Sequence, residues 1–184
     1  MKPLPNFKDV PISADRGRLP VGGYVLKITE ATDDPKKEYL RIVYDIAEGP
    51  EKDRYSDDWG KENDYAHAFY RSYKEKARGM FKAFLVAIDD TYATHFEKDA
   101  EKGLEEKKLV GKKFGAVIGE EEYETDRGDV KTRLYIAAVM SADRIRTGDF
   151  TVPALKPFKG KPAEGMKPAP DVTFVQFNAD DLPF

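Results

Sequence analysis

The sequence predicts a mainly β protein: a five-stranded barrel with one helix between strands three and four, followed by a flexible C-terminal tail. Three observations lead there. Five segments carry strand-like patterning, one stretch between the third and fourth carries helical periodicity, and periodicity disappears from about Lys156 as Pro, Gly and Lys accumulate. The 184 residues are 40% hydrophobic, 12% aromatic and 35% charged, too apolar for a wholly disordered chain and enough for one sizeable core. The expected organisation is an N-terminal arm over 1–18, a folded domain over 19–155, and a linker with an acidic tip over 156–184.

The first strand is expected from Gly23 to Glu30, where Tyr24, Leu26 and Ile28 alternate with Val25, Lys27 and Thr29. Asp33, Asp34 and Pro35 turn the chain. A second strand from Tyr39 to Ala47 places Leu40, Ile42, Tyr44 and Ile46 inward, with Tyr39, Arg41, Val43 and Asp45 on the other face. A polar loop containing Trp59 leads to a third strand, Ala66 to Tyr73, favoured by its aromatics. Ala77, Met80, Phe81, Phe84, Leu85 and Ile88 recur at helical steps and predict a helix over Lys74 to Asp89. The fourth strand is entered through Leu109 to Lys113 and runs to about Glu122. A turn over Thr125 to Asp129 precedes a fifth strand, Lys131 to Met140, with Leu134, Ile136, Ala138 and Met140 on one side. This order matches an oligonucleotide-binding (OB) barrel, which closes its sheet to remove exposed edges.

Composition also restricts function. The chain contains no cysteine, which excludes disulfides and thiolate metal sites, and His67 and His95 alone supply no zinc cluster. No stretch reaches the roughly 18 apolar residues of a membrane span, and no signal-peptide core follows the N-terminus, so a cytoplasmic protein is expected. From Ala163 onward Glu164, Asp171, Asp180 and Asp181 face the single base Lys167, which accounts for the whole net charge of -3. A neutral body remains, and it neither requires nor forbids a nucleic-acid partner.

No catalytic constellation emerges, and neither an enzyme activity nor a cofactor is expected. Glu120, Glu121 and Glu122 are consecutive, so strand alternation divides them between two faces; a magnesium-dependent nuclease using Glu120 or Glu122 with Asp126 or Asp129 is the least favoured alternative. Gly22-Gly23 and Gly111-Lys112-Lys113 lack the spacing of phosphate-binding loops and read as turns.

The strand faces opposite the assigned core carry Lys27, Tyr39, Arg41, His67, Phe69, Arg71, Tyr73, Arg133 and Tyr135. Rings interleaved with cations suit single-stranded DNA, whose bases stack on aromatics while Lys and Arg neutralise phosphates. Each of these rings could instead belong to a second core layer under the helix. Trp59 is a further stacking candidate, with capping of the barrel end as the alternative. The expected DNA-binding set is Lys27, Tyr39, Arg41, Trp59, Phe69, Arg71, Tyr73, Arg133 and Tyr135.

The chain ends Asp180-Asp181-Leu182-Pro183-Phe184, two carboxylates before two apolar side chains and a terminal carboxylate. Such an end suits capture by a pocket with a basic rim. It resembles the acidic tip of bacterial single-stranded DNA-binding proteins, and that resemblance implies recruitment of replication, recombination and repair proteins. The body resembles small proteins encoded by phages and mobile elements of Gram-positive bacteria through Leu19 to Ile28, Glu38 to Gly49, Arg71 to Lys76, Lys131 to Tyr135 and Ile145 to Phe150. Together these imply an OB-type protein that coats single-stranded DNA, with homo-oligomerisation open. The alternative is a replication or recombination adaptor whose main ligand is protein.

Overall fold

The computed structural model describes residue 3 and residues 17–160. The tip Asp180 to Phe184, most of the linker and most of the N-terminal arm lie outside the described residues.

Five antiparallel strands form one sheet in the order β3-β2-β1-β4-β5. Strand β1 (Gly22–Asp34) pairs with β2 (Tyr39–Ile46), setting Leu26 opposite Ile46 and Ile28 opposite Tyr44. Their apolar alternation holds this register, because a one-residue slip would turn the whole buried set to solvent. A β-bulge at Thr29 interrupts it: Ile28 pairs with Tyr44 and Glu30 with Val43, so Thr29 has no residue opposite. Strand β1 runs on beyond its expected end at Glu30 through Asp33 and Asp34, and the turn expected at Asp33 to Pro35 falls at residues 35–38.

After β2 the chain forms a short helix α1 (Asp58–Glu62) and a 3-10 turn (Asp64–His67), neither expected, before the five-residue strand β3 (Ala68–Ser72). Helix α2 (Arg78–Tyr92) buries Phe84, Leu85, Ala87 and Ile88 against the sheet, while Met80 is exposed. Asp89 accepts the backbone N–H groups of Phe96 and Glu97 at 2.8 and 2.9 Å, folding the chain back into the short helix α3 (Phe96–Asp99). Residues 109–112 make a turn that buries Leu109, and strand β4 (Lys113–Glu124) begins only after it. The hairpin to β5 (Val130–Met140) turns at Gly128, whose φ of +83° favours glycine.

Leu26, Ile28, Ile42, Ile46, Phe84, Ile88 and Phe114 form the centre of the core between the sheet and α2. In β5 a bulge opposite Val117 and Ile118 reverses the side-chain phase, so Val139 packs toward the core with Leu134 and Ile136. Ala138 and Met140, expected on the core side, therefore lie on the other face.

The closed barrel is corrected to an open sheet. Strands β3 and β5 are its two edges, and α2 packs against both of them as well as β4. The helix fills the gap that a fifth pairing would close, and β3 offers only five residues to span it.

Beyond β5, helix α4 (Ala142–Arg146) and the segment through Phe158 lie back on the outer face of the sheet, the side opposite the core. Strand β1 leaves β4 at the Gly22 to Ile118 pair, and Lys156 takes the vacated edge, donating to Glu120 O at 3.0 Å and accepting from Glu122 N–H at 2.9 Å. Phe150 packs on Gly23, Ile145 on Gly115 and Pro153 near Gly119, so these strand glycines mark close approach of the returning chain. Glu48 receives bonds from Arg146 at 2.7 and 3.0 Å and from Lys113 at 3.0 Å, fastening α4 to the sheet. No helix among the described residues is long and apolar enough to cross a membrane.

Candidate nucleic-acid interface

The outer face of β1 to β3 is organised by the segment between β2 and β3. Asp45 is 6% exposed, and one of its carboxylate oxygens accepts the N–H groups of Ile46 and Tyr55 at 2.7 and 3.0 Å, drawing residues 53–67 across the strands. Asp57 caps α1 by accepting the Gly60 N–H at 2.9 Å. His67 is buried and stacks on Tyr55 at 4.3 Å, with its ring nitrogens against the carbonyl oxygens of Tyr44 and Gly60. His67 thus serves this anchor, behind the surface.

On that scaffold sits a row of exposed rings. Tyr39 and Tyr70 meet edge to face at 5.1 Å, and Tyr70 lies opposite Arg41 in the β2 to β3 register. Arg41 bonds Asp64 at 2.8 Å and approaches Glu30 at 3.6 Å. Next to Asp64, Tyr65 is 73% exposed and donates to Asn63, which in turn donates to the Trp59 carbonyl at 2.8 Å. Trp59 is itself 55% exposed. Trp59, Tyr65, Tyr70 and Tyr39 are therefore connected by a chain of contacts, from the Trp59 carbonyl through Asn63 to the Tyr65 hydroxyl, and from Asp64 through Arg41 to the Tyr39 and Tyr70 pair.

Two clefts open beside the row. One, of about 330 Å³, is lined by Asp34, Pro35, Lys36, Tyr39 and Arg41 at the β1 to β2 turn. The other, of about 410 Å³, lies over β1 and β2 between Lys27, Thr29 and Val43 on one side and Tyr55, Ser56 and Lys61 on the other.

The sequence-predicted residues divide into groups. Lys27, Tyr39 and Arg41 line the clefts of this surface, Trp59 is exposed on α1, and Lys27 has no ion-pair partner among the described residues. Phe69 and Arg71 are corrected: the register puts them with Ile42 and Leu40 on the core side of β3. Phe69 packs against Phe84 and Phe114 at 5.6 and 5.8 Å. Arg71 lays its guanidinium 4.7 Å from the Phe69 ring centroid; its Nε is buried without a hydrogen-bond partner, and burial lowers its pKa to about 10. Tyr73 sits at the β3 to α2 junction, its ring 5.9 Å from Phe81 and its hydroxyl donating to Asp33. Burial and that hydrogen bond push the hydroxyl pKa up to about 12.

Arg133 and Tyr135 lie apart from the row, on β5. Arg133 bonds Glu121 at 2.8 Å, and Lys156 stands 5.9 Å from the Tyr135 ring centroid. The returning C-terminal segment thus occupies part of their surroundings. Of the three consecutive acids, Glu120 pairs with Arg18, Glu121 with Arg133 and Lys156, and Glu122 accepts the Phe158 N–H. Among the described residues, no group of three or more His, Cys, Asp or Glu is arranged to hold a metal ion.

Sequence reasoning missed Tyr70 and Tyr65. The available signal for Tyr70 was its place beside Phe69, since neighbours in a strand take opposite faces. No protein-family profile matches the chain, and no curated protein matches it significantly.

Proposed function

We propose that this protein binds single-stranded DNA by stacking bases on the outer face of β2, β3 and their connection, without catalysing a reaction on it. The observation that carries the reading is the ring row. Tyr39 and Tyr70 stand half-exposed in edge-to-face contact on the outer face, and the exposed Tyr65 and Trp59 follow in the connection that Asp64 ties to Arg41. Single strands offer ring-shaped bases to such a surface, and each stacked base contributes about 1 to 3 kcal/mol. Lys27, Lys36, Lys37 and Lys61 lie along the row and its clefts, where they can meet phosphates.

The architecture supports the same reading. The strand order, with α2 following β3, suits an OB-type barrel left open between β3 and β5. That fold binds oligonucleotides on its second and third strands and on the loops after the first and fourth. Tyr39, Arg41 and Tyr70 belong to those strands, and Lys36 and Lys37 to the first of those loops.

Asp180 to Phe184 would recruit replication or recombination proteins, a role that rests on the tip's resemblance alone. The groove is tested by fluorescence anisotropy with a labelled oligonucleotide. Tyr70→Ala and Trp59→Ala should each weaken binding about tenfold with unchanged unfolding midpoints, and wild-type affinity in both variants would refute the proposed surface.

A further inference from the structure

The cleft over Thr29 and Val43 is built differently from the flat ring row beside it. The bulge leaves Thr29 without a cross-strand neighbour, and bulges commonly re-aim side chains beside binding sites. Its side chain is exposed in the cleft, and its hydroxyl makes no hydrogen bond among the described residues. Val43, only 4% exposed, and Tyr55 provide apolar surface. Lys27, two residues before Thr29, also lines the cleft and has no ion-pair partner among the described residues. Lys61 lines the opposite wall, its ammonium 3.7 Å from the fully solvated Asp58.

The acids around the cleft are largely engaged. Asp45 holds two backbone N–H groups, Asp64 and Glu30 meet Arg41, and Asp53 approaches Lys52 at 3.8 Å. Thr29 and Lys27 are thus lining groups without partners, set among four carboxylates, Glu30, Asp45, Asp53 and Asp64, that are each held by a backbone or cationic contact. A volume of about 410 Å³ with a partly apolar lining falls within the usual range of small-ligand pockets, about 300 to 1,000 Å³. Asp64 lines this cleft and also bonds Arg41, which lies opposite Tyr70, so the cleft continues the ring row.

We propose that this cleft receives one nucleobase of the bound single strand, turned out of the stacked run. The Thr29 hydroxyl meets its polar edge, Val43 and Tyr55 contact the ring, and Lys27 and Lys61 receive the flanking phosphates. This rests on the single-strand-binding reading and adds an inserted base to it.

Filling the cleft separates the two claims. Thr29→Tyr places a ring in the space from an exposed strand position, and Ser56→Tyr fills it from the facing wall. Each is titrated with a fluorescent mixed-sequence 15-mer and, at low salt, with an abasic strand of equal length, after thermal unfolding confirms the fold. The expected result is about a tenfold loss on the 15-mer and no change on the abasic strand. Wild-type affinity for the 15-mer in both folded variants overturns the inserted base while leaving the stacking surface intact. An equal loss on the abasic strand also overturns it, because the cleft would then hold phosphate. Failure of the wild-type protein to bind the 15-mer overturns the underlying reading as well.

Discussion

The ring of Phe150 lies where a side chain at Gly23 would stand: a Cβ on Gly23 would come within 2.4 Å of Phe150 Cζ, with two further ring atoms closer than 3 Å. A rigid ring cannot yield that space by rotating its tip. Gly23→Ala should therefore destabilise the protein by about 1 to 3 kcal/mol, the usual cost of overpacking. Adding Phe150→Leu should recover part of the loss. Urea denaturation of the single and double variants measures this coupling, and additive losses would contradict the contact.

Phe69 and Tyr70 are neighbours in sequence on opposite faces of β3. Phe69→Ala should cost about 3 to 5 kcal/mol of stability through the cavity it leaves among Phe84, Phe114 and Tyr44, with no specific binding loss. Tyr70→Ala should do the reverse, keeping stability and losing affinity. Chemical denaturation paired with oligonucleotide titration separates them, and exchanged phenotypes would mean that the register of β3 is wrong.

Arg71 brings a guanidinium Nε into the core side of β3 without a partner, offset by the Phe69 ring at 4.7 Å and by the bond that a terminal guanidinium nitrogen donates to the Tyr70 carbonyl at 3.2 Å. Replacing a partly buried cation that has few partners with an apolar side chain of similar length is often neutral or stabilising. Arg71→Met should leave the unfolding midpoint unchanged or raise it. A clear drop would give Arg71 a supporting partner that these contacts do not include.

The hydrogen bonds from Arg146, followed by those from Lys113, hold the Glu48 carboxyl at about 2, below its ordinary value of 4.5, although burial acts in the opposite direction. A carboxylate depressed on folding contributes stability fully above its unfolded pKa and loses that contribution as pH falls through the folded one. Glu48→Gln should cost about 1 kcal/mol near neutral pH, since a partly exposed pair is screened. The gap between wild type and variant should narrow as pH falls from 4.5 toward 2. A gap independent of pH would contradict the ion pair.

Much of the central sheet was legible in the sequence. Leu26 and Ile28 alternate with the exposed Lys27 and Thr29, and Leu40 and Ile42 flank Arg41, a contrast that identified both strands and their inward sides, although Val43 and Asp45 on the other face of β2 are buried as well. Strand β3 was read inside out because Phe69 and Tyr70 are both aromatic, so alternation of type did not reveal alternation of environment. The phase change in β5 follows from one extra residue at a bulge, to which composition is blind. The packing of Phe150 to Phe158 depends on contacts with glycines far away in sequence. Gly115 and Gly119 inside a strand were the available sign that something approached closely. For the site, Tyr39, Arg41, Lys27 and Trp59 were legible as a set of types. Their joining through Asn63 and Asp64 depends on α1 and the 3-10 turn, whose short polar segments carry no periodicity.

The most direct measurement is the titration of a fluorescent oligo-dT strand with the full-length chain and with a variant lacking Asp180 to Phe184, at two salt concentrations. The proposed function predicts binding that weakens steeply as salt rises, from release of phosphate counterions, and that strengthens when the acidic tip is removed. No binding by either form would contradict it and leave a protein adaptor as the better account.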